Sequence, residues 1–502
     1  MPDLRVFGDD TITGNDSGGC WYLSNGAGNP IHGEITRIGD IIHCARNDEP
    51  VAFNVLYSVP GFGRVILGTL PLPPRSTPYN LNLEVSRAKT QRIASFVRIL
   101  AASEFIPSRV LKEEMAYAER LLKQADEAED DDPPRCAELA DRALSRAVWA
   151  GEGIALEAAR RNLNRKIADG SARKMLLGAN FFEFGESDDY ARRFEEAFNY
   201  ATIPFHWQSF EPAPGAERWH TVDAMLAWLQ PRGIVVKGHP LVWFCESCHP
   251  RWAYRESADA VCDLALQRVR RVVNRCRGRV AFWDVINEAN DADHANIFGF
   301  GRSKLAEITA AASRTVKDAD DSAGRVVNVC SPFGEYAAEK PGKWTPLEYL
   351  TACSKADADF DAIGLQFFFG SGTGYCRDLL EISALLDRYA AFGKPIHITQ
   401  IGCPSSAQPS PSPRDGAPAV NQAGEWHGRW SEALQAEWVE KFYTICCGKP
   451  YVTAVTWWDL ADYESNVYPH GGLLREDFSP KPAYDRVRQI AAKMGVRRND
   501  ER

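Results

Sequence analysis

The segment Phe282-Trp283-Asp284-Val285-Ile286-Asn287-Glu288-Ala289 decides the fold class of this chain. It is an apolar run that ends abruptly in an amide and a carboxylate. Strands of a parallel barrel are buried on both faces and deliver polar groups to a site at their carboxyl ends. The segment is therefore predicted to be a barrel strand that presents Asn287 and Glu288. A lone buried Glu is more often a paired structural acid, so this interpretation depends on the neighbouring segments.

A second segment, Pro395-Ile396-His397-Ile398-Thr399-Gln400-Ile401-Gly402, has the same form but delivers an amide, Gln400. Most glycosidases place two carboxyl groups on either side of the bond that they cleave. One strand-end acid and one strand-end amide therefore indicate a two-carboxylate glycosidase in which one member of the pair is neutral.

Strand-like and helix-like segments alternate from Lys174 onward. Eight strands that alternate with helices over about 320 residues predict an α/β fold, a (β/α)8 TIM barrel. The predicted strands are Met175–Asn180, Tyr200–Pro204, Ile234–His239, Val280–Ile286, Val326–Val329, Ala362–Gln366, Ile396–Ile401 and Val452–Trp458.

Two further regions precede the barrel, which is assigned to residues 173–497. Residues 1–80 are rich in Gly, Asn and Pro and contain short alternating runs, which predict a small β-rich module with a potential carbohydrate-binding role. Residues 81–172 are rich in Ala, Glu, Arg and Leu at helical spacing and predict a helical region. The acidic stretch 126–132 is expected to be a solvated break between two helices.

Two features leave alternatives open. Three aromatic residues of the module, Trp21, Tyr22 and Tyr57, are candidates for glycan contact or for packing against the helical region. The segment Pro404–Trp426 is long, rich in Pro, Ser, Gly and Ala, and follows the strand that contains Gln400. Such a segment is either a loop that covers the substrate or a mobile surface insertion.

Composition limits the partners of the chain. A formal net charge of -9 over 502 residues, without a basic block, argues against nucleic acid. No apolar run is long enough to cross a membrane, so no membrane partner is predicted. Cys245, Cys248 and His249 have the spacing of half a zinc site, but no second half follows. No metal or other cofactor is therefore predicted.

The thirteen cysteines form an odd number without a regular framework, which favours a reducing compartment. The first residues lack the basic and apolar regions of a signal peptide. The sequence as written is thus expected to be cytoplasmic, or secreted or periplasmic if a signal has been removed. The oligomeric state is left unpredicted.

The ends of the predicted strands carry side chains that suit a sugar. A sugar needs hydrogen-bond partners for its hydroxyls, aromatic faces for its C–H faces, and carboxyls beside the glycosidic bond. Each such residue alone is more often structural, so the argument is their common location. These strand-end residues are Lys237, His239, Trp243, Asn287, Glu288, Gln366, Gln400 and Trp458.

Six motifs in this region resemble, in the same order, those of glycoside hydrolase family 10, the endo-β-1,4-xylanase family. The resemblance covers about residues 174–495. The motifs lie at Lys237–Trp243, Trp283–Glu288, Asp361–Gln366, Ile398–Gln400, Thr456–Asp462 and Leu473–Tyr484.

The resemblance implies roles for individual residues. Glu288 would be the general acid/base, and Asn287 would hold the 2-hydroxyl of the sugar. Family members retain the anomeric configuration through a glycosyl–enzyme ester, which needs two carboxyls roughly 5–5.5 Å apart. The implied partner is a xylan-type oligosaccharide or polysaccharide. The subsites nearest the cut would be shaped by Lys237, His239, Trp243, Gln366 and Trp458.

Gln400 departs from the family pattern, because the family has its nucleophilic Glu at this position. An amide oxygen is a poor nucleophile and carries no charge to stabilise an oxocarbenium-like transition state. The chain is therefore expected to hydrolyse glycans slowly or not at all. Gln400 is either introduced to trap an intact substrate or native to a lapsed enzyme that only binds sugar. The otherwise intact constellation favours the first alternative.

Other departures concern specificity. The segment Thr202–Gln208 replaces a family segment that carries a Glu-Asn pair and a Lys for a distal xylose. Phe368 occupies the position of the His that contacts the nucleophile. Phe244 replaces another His, and Val329-Cys330 replaces an Asp-Tyr pair. The pocket is expected to be more apolar than that of a typical xylanase, with Trp207 and Phe368 supplying apolar contacts.

Overall fold

The computed structural model describes residues 2–8, 10–12, 20–45, 49–291, 293–371, 374–408, 422–463, 466 and 470–496. Two small sheets come first along the chain, three long helices follow, and a closed barrel comes last. None of the helices in these ranges combines the length and the apolar character needed to cross a membrane.

The amino-terminal part contains two small sheets. One has the strand order β4-β5-β1-β8, and the other contains β7-β6-β2-β3 and a fifth strand from much later in the chain. Tyr57 in β6 is fully buried and its hydroxyl donates to Asp141 at 2.5 Å, so it is a packing residue and not a glycan contact. The strands are β1 (Asp3–Arg5), β2 (Trp21–Ser24), β3 (Pro30–Ile31), β4 (Glu34–Ile38), β5 (Ile41–Ala45), β6 (Ala52–Val59), β7 (Gly63–Gly68) and β8 (Tyr79–Asn80).

The helical region consists of α1 (Leu81–Ala101), α2 (Arg109–Ala128) and α3 (Pro133–Ala168). The predicted acidic break separates α2 from α3. The side chain of Asp132 caps α3 by accepting from the backbone N–H of Arg135 at 3.1 Å. The break is partly ion-paired, because Arg87 of α1 contacts Glu129 at 2.9 Å.

Eight parallel strands close into a barrel in which each strand pairs with the next and the last pairs with the first. The predicted (β/α)8 fold is confirmed, and each predicted strand bound lies within two residues of the observed one. The barrel strands are β9 (Leu176–Asn180), β10 (Tyr200–Pro204), β11 (Val235–His239), β12 (Phe282–Asn287), β13 (Gly324–Val329), β14 (Ala362–Phe368), β15 (Ile396–Gly402) and β17 (Val452–Trp457), and β16 (Glu425–Trp426) lies outside the barrel.

Helices between the strands surround the barrel. The helix α6, Trp219–Leu229, is followed by a 3-10 turn, Gln230–Arg232, and Gly233 has the left-handed φ of +65° that this ending requires. The helices are α4 (Asp188–Ala197), α5 (Trp207–Phe210), α6 (Trp219–Leu229), α7 (Ala258–Arg275), α8 (Arg302–Ala319), α9 (Pro346–Lys355), α10 (Leu379–Ala390), α11 (Glu432–Gly448) and α12 (Pro482–Lys493).

The outer face of the barrel is closely packed beneath the surrounding helices. Trp283 points outward from β12 and lies over Gly238 of the neighbouring strand β11, and its ring centre is 4.9 Å from that of Phe205. A Cβ atom at position 238 would lie 2.2 Å from the Trp283 ring, so only glycine leaves room for the indole. Close packing of this kind fixes the strand ends, and the strand ends carry the candidate site.

Buried polar contacts join the helical region to the barrel. Lys89 of α1 donates to Asp378 at 2.7 Å and to Glu381 at 3.1 Å, at the start of α10. Glu152 of α3 accepts from the indole N–H of Trp426 at 2.8 Å. Buried charges require partners, so these contacts hold the two parts in one arrangement.

The described carboxyl end of the segment Pro404–Trp426 contacts the amino-terminal part. Strand β16 pairs antiparallel with β7, and the backbone N–H of Cys376 donates to the carbonyl of Ala423 at 2.8 Å. The carboxyl end of the segment therefore completes the amino-terminal sheet. Residues 409–421 lie outside the described residues, so the alternatives of a substrate-covering loop and a mobile insertion stay open for them.

Candidate active site

A cavity of 350 Å³ opens at the carboxyl ends of the barrel strands. Parallel strands all end at the same face, so the residues that follow them meet there. Seven of the ten predicted site residues line this cavity, which places their side chains in one chemical environment. They are His239, Trp243, Glu288, Gln366, Phe368, Gln400 and Trp458.

Glu288 is in a strained backbone conformation directly after β12. Its φ is +58°, the left-handed region, which costs a residue other than glycine roughly 1–2 kcal/mol. Its backbone N–H donates to the carbonyl of Asn328 at 2.9 Å, which helps to hold this conformation. Strain of this kind is concentrated at functional sites.

A chain of hydrogen bonds crosses the barrel and ends on Glu288. Gln366 Nε2 donates to Glu288 Oε1 at 2.9 Å and to Asn287 Oδ1 at 3.2 Å. Asn328 Nδ2 donates to the same Asn287 oxygen at 2.6 Å, and Thr399 Oγ1 donates to Asn328 Oδ1 at 2.6 Å. These bonds fix the amide orientations and therefore the position of the Glu288 carboxyl.

The surroundings of Glu288 favour its protonated form. Burial raises the pKa of Glu288 and outweighs the lowering by His294 and by the hydrogen bond from Gln366, while Asp291 raises it further. His294 Nε2 lies 4.0 Å from Glu288 Oε2. A carboxyl that keeps its proton near neutral pH can act as a general acid.

A buried charged group supports the wall of the cavity. Asp284 Oδ2 accepts from Lys237 Nζ at 2.9 Å and lies 2.6 Å from His239 Nδ1. Burial lowers the pKa of His239, so its ring is neutral and carries its proton on Nδ1, toward Asp284. His239 Nε2 is then an acceptor on a residue that lines the cavity.

Gln400 is next to apolar side chains. It is 5% exposed and pairs in register with Gln366 across β14 and β15, while Phe368 pairs with Gly402. The Phe368 ring lies over Gly402, where an added Cβ would be 2.8 Å away. The Phe368 ring therefore lies over the residue two positions after Gln400, and both side chains line the cavity.

One buried donor of the cavity wall has no protein acceptor. The indole Nε1 of Trp243 is buried and donates to no side-chain or backbone atom among the residues that the structure describes. Unpaired buried donors are costly, and a ligand that supplies acceptors removes this cost. Sugar hydroxyls and ring oxygens are such acceptors.

The family model described as "Glycosyl hydrolase family 10" matches residues 169–490, well over half of the chain. This chain belongs to glycosyl hydrolase family 10. The match includes every residue of the cavity wall named above.

Relatives of this family 10 chain are distant in sequence. It is 24% identical over 327 residues to endo-1,4-beta-xylanase B of Thermotoga neapolitana, covering 62% of this chain and 86% of that protein. It is 25% identical over 289 residues to endo-1,4-beta-xylanase 3 of Hypocrea jecorina, covering 56% and 71%.

Solved structures of family 10 share the barrel fold. Native xylanase 10B from Thermotoga maritima superimposes with a TM-score of 0.50 at 21% identity, covering 66% of this chain and 99% of that chain. The family 10 protein from Paenibacillus barcinonensis gives a TM-score of 0.51 at 20% identity, with the same two shares.

Three residues predicted to contact substrate lie away from the lining of the family 10 cavity. Trp207 is 5% exposed, and its Nε1 donates to Glu211 at 2.8 Å, because the short helix α5 turns the indole inward. Lys237 is fully buried and reaches the cavity through Asp284 and His239. Asn287 also lies behind the lining, where it holds Gln366.

Several family 10 cavity residues were missed in the sequence. Asp284 had a usable signal, because a charge within an apolar strand needs a partner, and β11 carries a Lys and a His beside it. The other missed residues lie in loops that follow the strands, where the alternation of side chains along a strand no longer predicts their direction. The missed lining residues include His206, Asp291, His294, Cys330, Phe333, Glu335 and Tyr375.

The thirteen cysteines include Cys245 and Cys248, which have the spacing of half a zinc site. All thirteen cysteines are free thiols. Cys245 and Cys248 are close neighbours through Ser247, whose hydroxyl lies 3.5 Å from the first sulfur and 3.7 Å from the second. Within the described ranges, no group of three or more His, Cys, Asp or Glu side chains is arranged to hold a metal ion.

Proposed function

We propose that this chain is a retaining glycoside hydrolase for β-1,4-linked xylose polymers or closely related β-glycans, and that Gln400 leaves it with low activity. Glu288 would be the general acid/base, and position 400 would be the place of the nucleophile. The observation that carries the proposal is the hydrogen-bonded group of Glu288, Gln366 and Asn287, with Gln400 in register beside Gln366.

The geometry supports the first half of the proposed reaction. A Glu288 carboxyl that keeps its proton can donate it to the leaving-group oxygen. Trp243 Nε1 is a buried donor on a residue of the cavity wall and is available to a sugar oxygen. The same step requires a carboxylate that attacks the anomeric carbon and forms the ester while the leaving group departs, and the amide of Gln400 cannot supply it. A hydrolysis panel of β-linked xylose and glucose polymers with the Gln400→Glu variant tests the proposal.

A second candidate function is sugar binding without catalysis. It is supported by Phe368, because an aromatic ring beside position 400 suits a neutral side chain better than a carboxylate. In this alternative the unpaired donor of Trp243 would serve binding only. The Gln400→Glu variant distinguishes the two candidate functions, because only the hydrolase is expected to gain activity from a carboxylate at position 400.

We expect the pKa of Glu288 to be higher in the Gln400→Glu variant than in the parent protein. Burial already raises this pKa in the parent, and a carboxylate at position 400 would disfavour the Glu288 charge further. Carboxyl titration by carbon NMR measures both forms. Glu84 of α1, whose pKa is also raised by burial, is the control and should titrate identically in both. Identical titration of Glu288 would show that the two side chains do not face each other.

We expect linear xylooligosaccharides to gain less affinity with each of the first added units than in a typical family 10 xylanase. Ile203 and Phe205 are fully buried apolar residues, and His206 is the residue of this segment that lines the cavity. A site without hydroxyl-bonding groups discriminates weakly, so decorated or aryl glycosides should also be accepted. Calorimetry with xylobiose through xylohexaose measures this. A steep and regular gain over the first units would contradict the expectation.

A further inference from the structure

A second cavity lies between the amino-terminal sheets and the barrel. Its volume is 610 Å³. One wall comes from β2 and β4, including Trp21, Tyr22 and Arg37, and the other comes from the 3-10 turn Glu335–Ala338 and from Tyr375. Two parts of the chain that are far apart in sequence therefore build one concave surface.

This second cavity adjoins the candidate active site. Glu335 and Tyr375 line both cavities and therefore form the boundary between them. They follow barrel strands β13 and β14. In the closed strand order, β14 lies opposite β10, which is followed by His206. The amino-terminal sheets thus extend the active-site cavity on the side away from His206.

The shared boundary is held in a fixed position. Arg377 is almost fully buried, pairs with Glu335 and donates to the hydroxyl of Tyr22 at 3.2 Å. Its guanidinium also lies 4.1 Å from the ring centre of Phe333, a residue of the active-site cavity. One side chain therefore links a wall of each cavity.

Further contacts attach the sheets to the same turn. The ring Nδ1 of His32 lies 3.0 Å from the carbonyl of Ala338, and the backbone N–H of Ile66 donates to the carbonyl of Cys376 at 2.9 Å. The second cavity is therefore formed before any ligand binds, which reduces the entropy cost of ordering the protein on binding.

The lining chemistry suits a carbohydrate. Trp21, Tyr22 and Tyr375 provide aromatic surfaces, and Arg37 and Glu339 provide charged hydrogen-bonding groups. Trp21 and Tyr22 are only partly buried, although β2 is flanked on both sides by the strands β6 and β3. Aromatic faces with a few polar groups are the recurring composition of sugar sites.

We propose that this second cavity binds further sugar units of the glycan whose reacting unit occupies the active site. The amino-terminal sheets would then supply distal subsites and not a separate binding module. The inference rests on the proposed function, because it assigns the same class of β-linked glycan to both cavities.

The test is the Trp21→Ala variant, measured by calorimetry with xylobiose and xylohexaose and with the corresponding β-glucan oligosaccharides. Xylobiose affinity should stay within twofold of the parent, whereas xylohexaose affinity should fall about fivefold to tenfold, the loss expected for one stacking ring. Arg37→Ala on the edge strand β4 should weaken the long ligand in the same selective way. The matched control is Trp149→Ala, which removes a partly exposed indole of α3 outside both cavities.

The outcomes separate the two proposals. If the parent binds the series but Trp21→Ala and Arg37→Ala bind xylohexaose as the parent does, the distal subsites are refuted and the proposed function stands. Equal losses for short and long ligands would also refute them, because the residues would then act on the active-site cavity itself. If the parent binds no β-linked oligosaccharide, the proposed function falls, and the distal subsites fall with it.

Discussion

Gln400→Glu should raise the rate of β-glycan hydrolysis by several orders of magnitude, about 10³-fold or more, with the anomeric configuration retained. The reason is the position of residue 400 at the end of β15, in register with the Gln366 that bonds Glu288. A carboxylate there could form the glycosyl ester that an amide cannot form. Release of reducing sugar from xylan, with proton NMR of the first product anomer, measures both rate and stereochemistry.

Two control variants assign this gain to the carboxyl pair. Gln400→Leu fills the position without a polar group and should stay as inactive as the parent. Adding Glu288→Gln to Gln400→Glu should remove most of the gain, because the acid/base is then lost. An inert Gln400→Glu protein on every β-linked xylose, glucose and mixed glycan would exclude the hydrolase proposal. Inversion of configuration would exclude the nucleophile role of position 400.

A further pair of variants tests whether Phe368 limits the activity of the Gln400→Glu protein. The ring beside position 400 offers no hydrogen bond to a new carboxylate, so part of the gain depends on a donor at this place. Gln400→Glu combined with Phe368→His should therefore exceed Gln400→Glu alone, while Phe368→His alone should remain inactive. An equal rate for the single and double variants would show that the aromatic neighbour does not limit the carboxylate.

Asp284→Asn should lower the free energy of unfolding by about 3–5 kcal/mol, because it leaves Lys237 buried without a carboxylate. Burial alone would raise the pKa of Asp284, but Lys237 and His239 outweigh it and hold the pKa below its usual range. Burial lowers the pKa of Lys237, and the neighbouring Asp284 carboxylate opposes this lowering. Urea unfolding at pH 7 measures the difference.

The control for Asp284→Asn is Asp259→Asn. Asp259 pairs with Lys304 at 3.2 Å but its side chain is 88% exposed, so its loss should cost less than about 1 kcal/mol.

The contribution of Asp284 to stability depends on pH. Because the folded pKa of Asp284 is depressed, the stabilisation that its carboxylate gives is complete above the unfolded pKa and disappears as the pH falls through the folded pKa. The stability gap between parent and Asp284→Asn should therefore narrow in acid. A gap that is constant from pH 7 to pH 3 would contradict the charge explanation.

The sequence was sufficient for the barrel because its strands have a strong local signal. Segments such as Tyr200–Pro204 are short apolar runs between helical patterns. When such parallel strands close into a barrel, their carboxyl ends lie together at one face of it. The same rule placed Glu288, Gln366 and Gln400 at one cavity. Strand periodicity fixes which residues reach the barrel mouth, so this part of the site was predictable.

Side-chain direction outside the strands was not predictable in this way. Trp207 follows a strand by only three residues, but a single helical turn points its ring at Glu211. Glu335 and Tyr375 reach the cavity from loops whose course depends on the amino-terminal sheets. The pairing of β16 with β7 depends on contacts between distant parts of the chain, and no local pattern in either segment indicates the other.

The strand that the barrel region adds to the amino-terminal sheet affects the order in which a growing polypeptide can acquire its structure. The thiol of Cys20 donates to the carbonyl of Gln422, 402 residues later, immediately before this added strand. A ribosome completes β7 long before it reaches β16, so the β7 edge is unpaired during most of synthesis. The sheet that contains β7 is therefore among the last parts of this chain to become fully structured. Until then its open edge is a place where chaperones, or another nascent chain, can bind.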